Sequence, residues 1–197
     1  MRKSNISIFV PHIGCPHKCS FCNQNTITGQ TSAPTAQDVR DTVETALKSN
    51  GDSRFEYEIA FFGGSFTAID REYMVSLLEA AYPYVKNGSV KGIRISTRPD
   101  FIDDEILSIL KKYGVTSIEL GAQNMNDKVL AANLRGHTAE DVRNAANLIK
   151  KRDFELGLQM MTDLYMSNRG LDFATAREFA KLKPKTVRIY PTVVLKG

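Results

Sequence analysis

Cysteine is scarce in these 197 residues, and all three copies, Cys15, Cys19 and Cys22, fall in one short segment. An odd, clustered set excludes a disulfide framework and points to a reducing compartment and a metal role. Long hydrophobic runs are missing too. Nothing approaches the roughly eighteen apolar residues of a membrane span, and the basic start Met1-Arg2-Lys3 leads only into the short stretch Ile6 to Val10. Neither a secretory signal nor a membrane association is expected, and the expected location is cytoplasmic. Low-complexity tracts and sequence repeats are absent. Nor is charge of one sign in great excess: a net charge of +4, with a pI near 8.9, permits a phosphate-bearing partner without demanding one. What remains is an ordinary globular composition, with 42% hydrophobic and 24% charged residues. The length suits one well-packed domain over residues 1–197. Because the chain stops directly after its last expected strand, a missing C-terminal portion is also expected.

Hydrophobic periodicity alternates short β-rich runs with longer amphipathic segments, the rhythm of βα units and a parallel sheet. The spacing predicts strands over Ile6–Val10, Tyr57–Phe62, Gly92–Thr97, Ser117–Gly121, Leu156–Met161 and Thr186–Val194. Helices are predicted over Thr35–Lys48, Asp70–Val85, Asp103–Tyr113, Asn126–Leu134 with Ala139–Arg152, and Leu171–Leu182. Thr35 with Asp38, and Thr138 with Glu140 and Asp141, carry helix-start chemistry. Asn50-Gly51-Asp52 and Asn87-Gly88-Ser89 read as turns. Six strands and helical crossovers suit an incomplete barrel, although an open doubly wound sheet shares the same local pattern.

The loop after the first strand reads Gly14-Cys15-Pro16-His17-Lys18-Cys19-Ser20-Phe21-Cys22-Asn23, a C-x-x-x-C-x-x-C spacing. Three thiolates on one loop can hold three irons of a cubane and leave the fourth without a protein ligand, which is an arrangement for chemistry. A structural zinc site instead closes its coordination, with His12 or His17 available as the fourth ligand. With Phe21 directly before the last cysteine, the motif resembles the signature of the radical S-adenosylmethionine superfamily. That resemblance implies a partial (β/α)6 barrel, a 4Fe-4S cluster on Cys15, Cys19 and Cys22, and S-adenosyl-L-methionine as co-substrate. It further implies an external one-electron donor and reductive cleavage that yields a 5′-deoxyadenosyl radical.

In a barrel of parallel strands, functional residues belong at the C-terminal strand ends. The second strand ends in Phe62-Gly63-Gly64-Ser65-Phe66-Thr67, where glycines let backbone approach a ligand; a plain tight turn would read the same. Ser96-Thr97-Arg98-Pro99-Asp100 follows the third strand and offers Ser96 and Arg98 to a ribose or carboxylate; a surface ion pair is the alternative. Gln123 after the fourth strand and Arg135 beyond it can reach the same groups, while His137 reads as a capping or surface residue. Gln159 is a polar residue within an apolar strand and needs a partner. Tyr190 suits either an adenine or substrate pocket or an ordinary core. By the resemblance, Gly63, Gly64, Gln123, Arg135 and Gln159 hold S-adenosylmethionine.

The order of motifs over nearly the whole chain is similar to the radical domain of the Elongator catalytic subunit and its bacterial relatives. The matching pieces are Gly63-Gly64-Ser65-Phe66, Thr97-Arg98-Pro99-Asp100, Glu119-Leu120-Gly121-Ala122-Gln123, Arg135-Gly136-His137-Thr138, Met160-Met161-Thr162-Asp163-Leu164 and Tyr190-Pro191-Thr192-Val193-Val194. The resemblance implies a radical enzyme that modifies a uridine of tRNA. The compact cysteine spacing departs from that family's longer loop, Leu164-Tyr165 replaces its usual Leu-Pro turn, and no acetyltransferase domain is present. Porphyrinogen oxidative decarboxylation, whose enzymes share the short spacing, is the second enzymatic reading. A zinc- or RNA-binding domain without catalysis is the third.

Overall fold

The computed structural model of the protein describes residues 2–11, 15, 19–22, 32–49 and 55–193. Its frame is one sheet of six strands, β1 (Arg2–Val10), β2 (Phe55–Gly63), β3 (Ile93–Thr97), β4 (Val115–Gln123), β5 (Glu155–Thr162) and β6 (Thr186–Pro191). Every neighbouring pair is parallel and the strand order follows the chain. This order decides between the two topologies that periodicity left open. A doubly wound sheet reverses its order at a switch point, whereas here each strand adjoins its successor. Right-handed crossovers then lay all the helices on one face, and the twisted sheet curls into a partial (β/α)6 barrel with β1 and β6 as its edges.

The crossovers carry α1 (Ala36–Lys48), α2 (Arg71–Lys86), α3 (Asp104–Lys112), α4 (Asp127–Ala132), α5 (Ala139–Lys151) and α6 (Arg169–Leu182). Thr35 and Thr138 both close capping boxes, with Asp38 and Asp141 as the reciprocal partners. Asn87 accepts a hydrogen bond from the Ser89 amide at 3.0 Å, and Gly88 takes φ +78° in the turn. The predicted elements are all present, with β1 beginning at Arg2 rather than Ile6. Val194 and the turn at residues 50–52 lie outside the described residues. Two short 3-10 turns, Phe66–Ala68 and Pro99–Phe101, had no periodic signal because each is a single turn.

Alternation along the strands separates two faces. On the convex face Ile8, Ile59, Phe61, Ile95, Ile118, Leu120 and Leu158 pack against Val39, Leu77, Leu110, Val142, Ile149 and Phe179 of the helices, all of them buried. Each fully buried aliphatic or aromatic side chain there stabilises the fold by roughly 1.5–3 kcal/mol. No helix among the described residues is long and apolar enough to cross a membrane.

Candidate functional site

Parallel strands bring all their C-terminal ends to one rim, where β1 passes into the cysteine segment. Cys15, Cys19 and Cys22 are half-buried. The Cys22 amide donates to the Cys19 carbonyl at 3.0 Å, folding a tight turn. That turn is fastened to the segment after α4 at three points. The Ser20 amide donates to the Asn133 carbonyl at 3.2 Å, the Ser20 hydroxyl donates to Asn133 Oδ1 at 3.0 Å, and Arg135 Nη1 donates to Cys19 Sγ at 3.1 Å. The Arg135 guanidinium also lies over the Phe21 ring, 5.8 Å from its centroid. Asn133 is itself fixed, donating through Nδ2 to the carbonyls of Val129 and Tyr165. Sequence reasoning did not single out Asn133. Its side-chain role depends on a contact 113 residues away in the chain, which leaves no local signal.

Burial raises the Cys15 thiol pKa, against the Ser65 amide and the positive charges of Arg98 and Arg135, which lower it. Among the described residues no three His, Cys, Asp or Glu side chains converge closely enough to hold a metal ion. His12 and His17, the candidate zinc ligands, lie outside the described residues.

Beneath this segment the β2 end is tied to the β1 end. The Gly64 amide donates to the Val10 carbonyl at 2.9 Å. Gly63 has φ +120°, and a Cβ there would stand 2.5 Å from that same oxygen, so glycine is required by both conformation and space. The Ser65 hydroxyl points inward, 2.9 Å from Thr97 Oγ1, and accepts the Arg98 amide at 3.2 Å. Arg98 is 4% exposed. Its guanidinium forks onto Asp100 at 2.9 and 2.8 Å and donates to the Arg135 carbonyl. The pairing with Asp100, which the sequence allowed only as a surface ion pair, is thus a buried brace under Arg135.

The β4 end breaks register with β5 between Gly121 and Gln123, and Gln123 sits at φ +66°. His137, expected as a capping or surface residue, is instead buried, with Nε2 3.2 Å from the Ala122 carbonyl at this irregularity. Burial, then the Arg135 and Arg98 charges, lower its pKa to about 4, so it is neutral at pH 7. Arg135 Nη2 donates to the Gly121 carbonyl. Among the described residues, three buried polar atoms here have no hydrogen-bond partner: Gln123 Oε1, Arg135 Nε and His137 Nδ1. Such atoms are costly unless something pairs them. A polar ligand at the rim beside the thiols fits two of them, Gln123 Oε1 and Arg135 Nε.

The concave face carries a charged row that the motif search missed. Glu119, fully buried, pairs with Arg94 at 3.3 Å and Arg188 at 3.2 Å and accepts from Gln159 Nε2. Arg94 continues the row to Glu58 at 2.9 Å. Gln159 thus has its partner within the protein. Ser96 stands in register with Glu119, and Tyr190 with Met161. Tyr190 is 42% exposed, which places it on the open wall rather than in a core. Polar residues recurring at every second strand position were the available signal.

A family model described as the Radical SAM superfamily matches residues 9–182. Elongator complex protein 3 of Homo sapiens is 32% identical over 173 residues, covering 77% of this chain and 31% of that protein. A tRNA uridine(34) acetyltransferase of Methanocaldococcus jannaschii is 29% identical over 171 residues, covering 77% of this chain and 32% of its own. The chain spans about a third of the length of these curated relatives. Among solved structures, the archaeal Methanocaldococcus infernus Elp3 superposes with a TM-score of 0.71 at 21% identity, over 100% of this chain and 48% of that one, a likeness of fold.

Proposed function

We propose, from the premise that the chain belongs to the Radical SAM superfamily, that it is an enzyme which cleaves S-adenosylmethionine reductively at a 4Fe-4S cluster and acts on a uridine of tRNA. The observation that carries the reading is the fastening of the Cys19–Cys22 turn onto Asn133 and Arg135, beside Gln123 Oε1 and Arg135 Nε, which have no partner among the described residues. The donor set suits the cluster: three soft thiols within eight residues, with no fourth protein ligand implied by the motif. When bound, the cluster and S-adenosylmethionine together supply an electron from an external donor and a scissile sulfonium bond.

The chain's residues bind and orient. Cys15, Cys19 and Cys22 hold the iron. Gly63 and Gly64 give a close backbone approach for the amino group of the methionine portion. Gln123 and Arg135 offer their unpartnered atoms to its polar groups. Ser96, Gln159 and Tyr190 line the concave wall towards the ribose, adenine and substrate. Ser65 and Arg98, whose polar groups are engaged within the protein, act by bracing that rim. The tRNA substrate is supported by the names of the relatives at about 30% identity and is compatible with the net positive charge. A cytoplasmic location goes with an electron donor and with reduced thiols.

Anaerobic reconstitution tests the reading. The expected result is about four iron and four sulfide per chain, with 5′-deoxyadenosine formed on adding dithionite and S-adenosylmethionine. Reconstituted protein that forms none, or that holds stoichiometric zinc and refuses iron, overturns it. Binding of a tetrapyrrole but not RNA would move the substrate to the porphyrinogen class.

A further inference from the structure

We infer that Arg135 sets the reduction potential of the cluster through a charged hydrogen bond to the sulfur of Cys19; the inference rests on the cluster reading above. Sequence and resemblance cast Arg135 only as a binder of the co-substrate. Its geometry gives it a second task. Two of its three guanidinium nitrogens are already committed, Nη1 to Cys19 Sγ at 3.1 Å and Nη2 to the Gly121 carbonyl. Nε has no partner among the described residues.

The group is held from several sides. The Arg98 guanidinium, forked onto Asp100, donates to the Arg135 carbonyl. The Phe21 ring lies across the guanidinium. The Ser20–Asn133 pair keeps the cysteine turn against it. With 7% of the residue exposed, little water screens the charge. Reduction adds one electron to the thiolate-ligated centre and moves no proton. A fixed positive charge that donates to a ligand sulfur stabilises the more negative, reduced form and raises the potential. Arg135 is in this respect a positioning and tuning residue, acting through Cys19.

The test uses anaerobically reconstituted wild type, Arg135→Gln, Arg135→Lys and Asn133→Ala, with iron and sulfide counted in each. Midpoint potentials are read by electron paramagnetic resonance during redox titration, so no turnover is needed. Arg135→Gln should load iron and titrate lower. At the wild-type midpoint its reduced-to-oxidised ratio should fall about tenfold, which is about 59 mV for one electron. Arg135→Lys, which keeps the charge and loses the fork, should fall between. Asn133→Ala loosens the turn but keeps the guanidinium and should shift the midpoint less than Arg135→Gln does. An iron-loaded Arg135→Gln with the wild-type midpoint overturns the inference. So does an Asn133→Ala shift as large as that of Arg135→Gln, or a failure of both Arg135 variants to load iron, since either makes the role one of loop placement. Wild type that takes up no iron overturns the cluster reading itself, and is told apart by its iron count.

Discussion

The two faces of the sheet are built on opposite principles. The convex face is aliphatic and aromatic, dry, and complete: Ile59, Phe61, Ile93, Ile95, Ile118 and Leu120 are each fully buried by the helices. The concave face is ionic and half-open, with Glu119 shared between Arg94 and Arg188 and with Phe62 and Tyr190 exposed by 41% and 42%. Close apolar packing fixes the position of a strand but offers a ligand nothing to recognise. Fixed charges on the facing side do the reverse, because they hold their geometry only where the backbone is already held. The division of labour therefore predicts large stability effects on one face and chemical effects on the other.

The largest effect on stability should come from Phe61→Ala. Phe61 is fully buried and stacks on Phe66 at 4.8 Å between centroids. Deleting the ring should cost about 3–5 kcal/mol, measured by chemical denaturation. A loss below about 1 kcal/mol would mean that the convex core repacks freely, and the contrast between faces would collapse.

Glu119→Ala should come next, at roughly 3 kcal/mol, because it strands the two arginines it joins. Here the comparison sharpens, since the concave face is ionic yet its centre is as buried as the core. A change of similar size in Arg188→Ala would contradict this, because that side chain is 40% exposed and should lose less.

The rim between the faces should respond to pH through His137. Its folded pKa of about 4 lies below the ordinary value of 6.5. Between those values the unfolded chain binds a proton that the folded chain refuses. Its neutral form is thus a source of stability fully present above about pH 6.5 and lost as pH falls through about 4, on the order of 2–3 kcal/mol. Denaturation midpoints of wild type and His137→Gln across pH 4–7 check this. Parallel curves for the two proteins would show that His137 does not titrate differently on folding.

How legible was all this in the sequence? Strands and helices were, because alternation at two and at 3.6 residues is a local property, and the capping threonines 35 and 138 marked two helix starts. The cysteine segment was legible for the same reason. Periodicity did not choose between barrel and open sheet, since that rests on which strands adjoin and Ile118 reads the same beside either neighbour; the resemblance carried by the cysteine motif implied the barrel, and the strand order bears it out. Arg98 read as a partner for a ribose or carboxylate, with a surface ion pair as the alternative, and His137 as a cap or surface residue, because nothing in their neighbourhoods revealed that Arg135 and Ala122 would lie across them. Partners distant in sequence are what fix Ser20 to Asn133 and Arg94 to Glu119.

The smallest stability effect is expected where the proposed chemistry is concentrated. Cys15, Cys19 and Cys22 are only half-buried and belong to neither packed face. Serine at position 19 still offers an oxygen to Arg135 Nη1, so the guanidinium keeps a partner in place of the sulfur it now reaches. The triple Cys→Ser variant should therefore unfold within about 0.5 kcal/mol of wild type, while iron uptake and 5′-deoxyadenosine formation disappear. Loss of several kcal/mol would assign the thiols to packing and merge the rim with the core. Iron retained without the three sulfurs would move the metal to other residues. A protein that keeps its fold and loses its iron would separate the two kinds of surface most cleanly, since the segment that adds least to folding would then be the one on which catalysis depends.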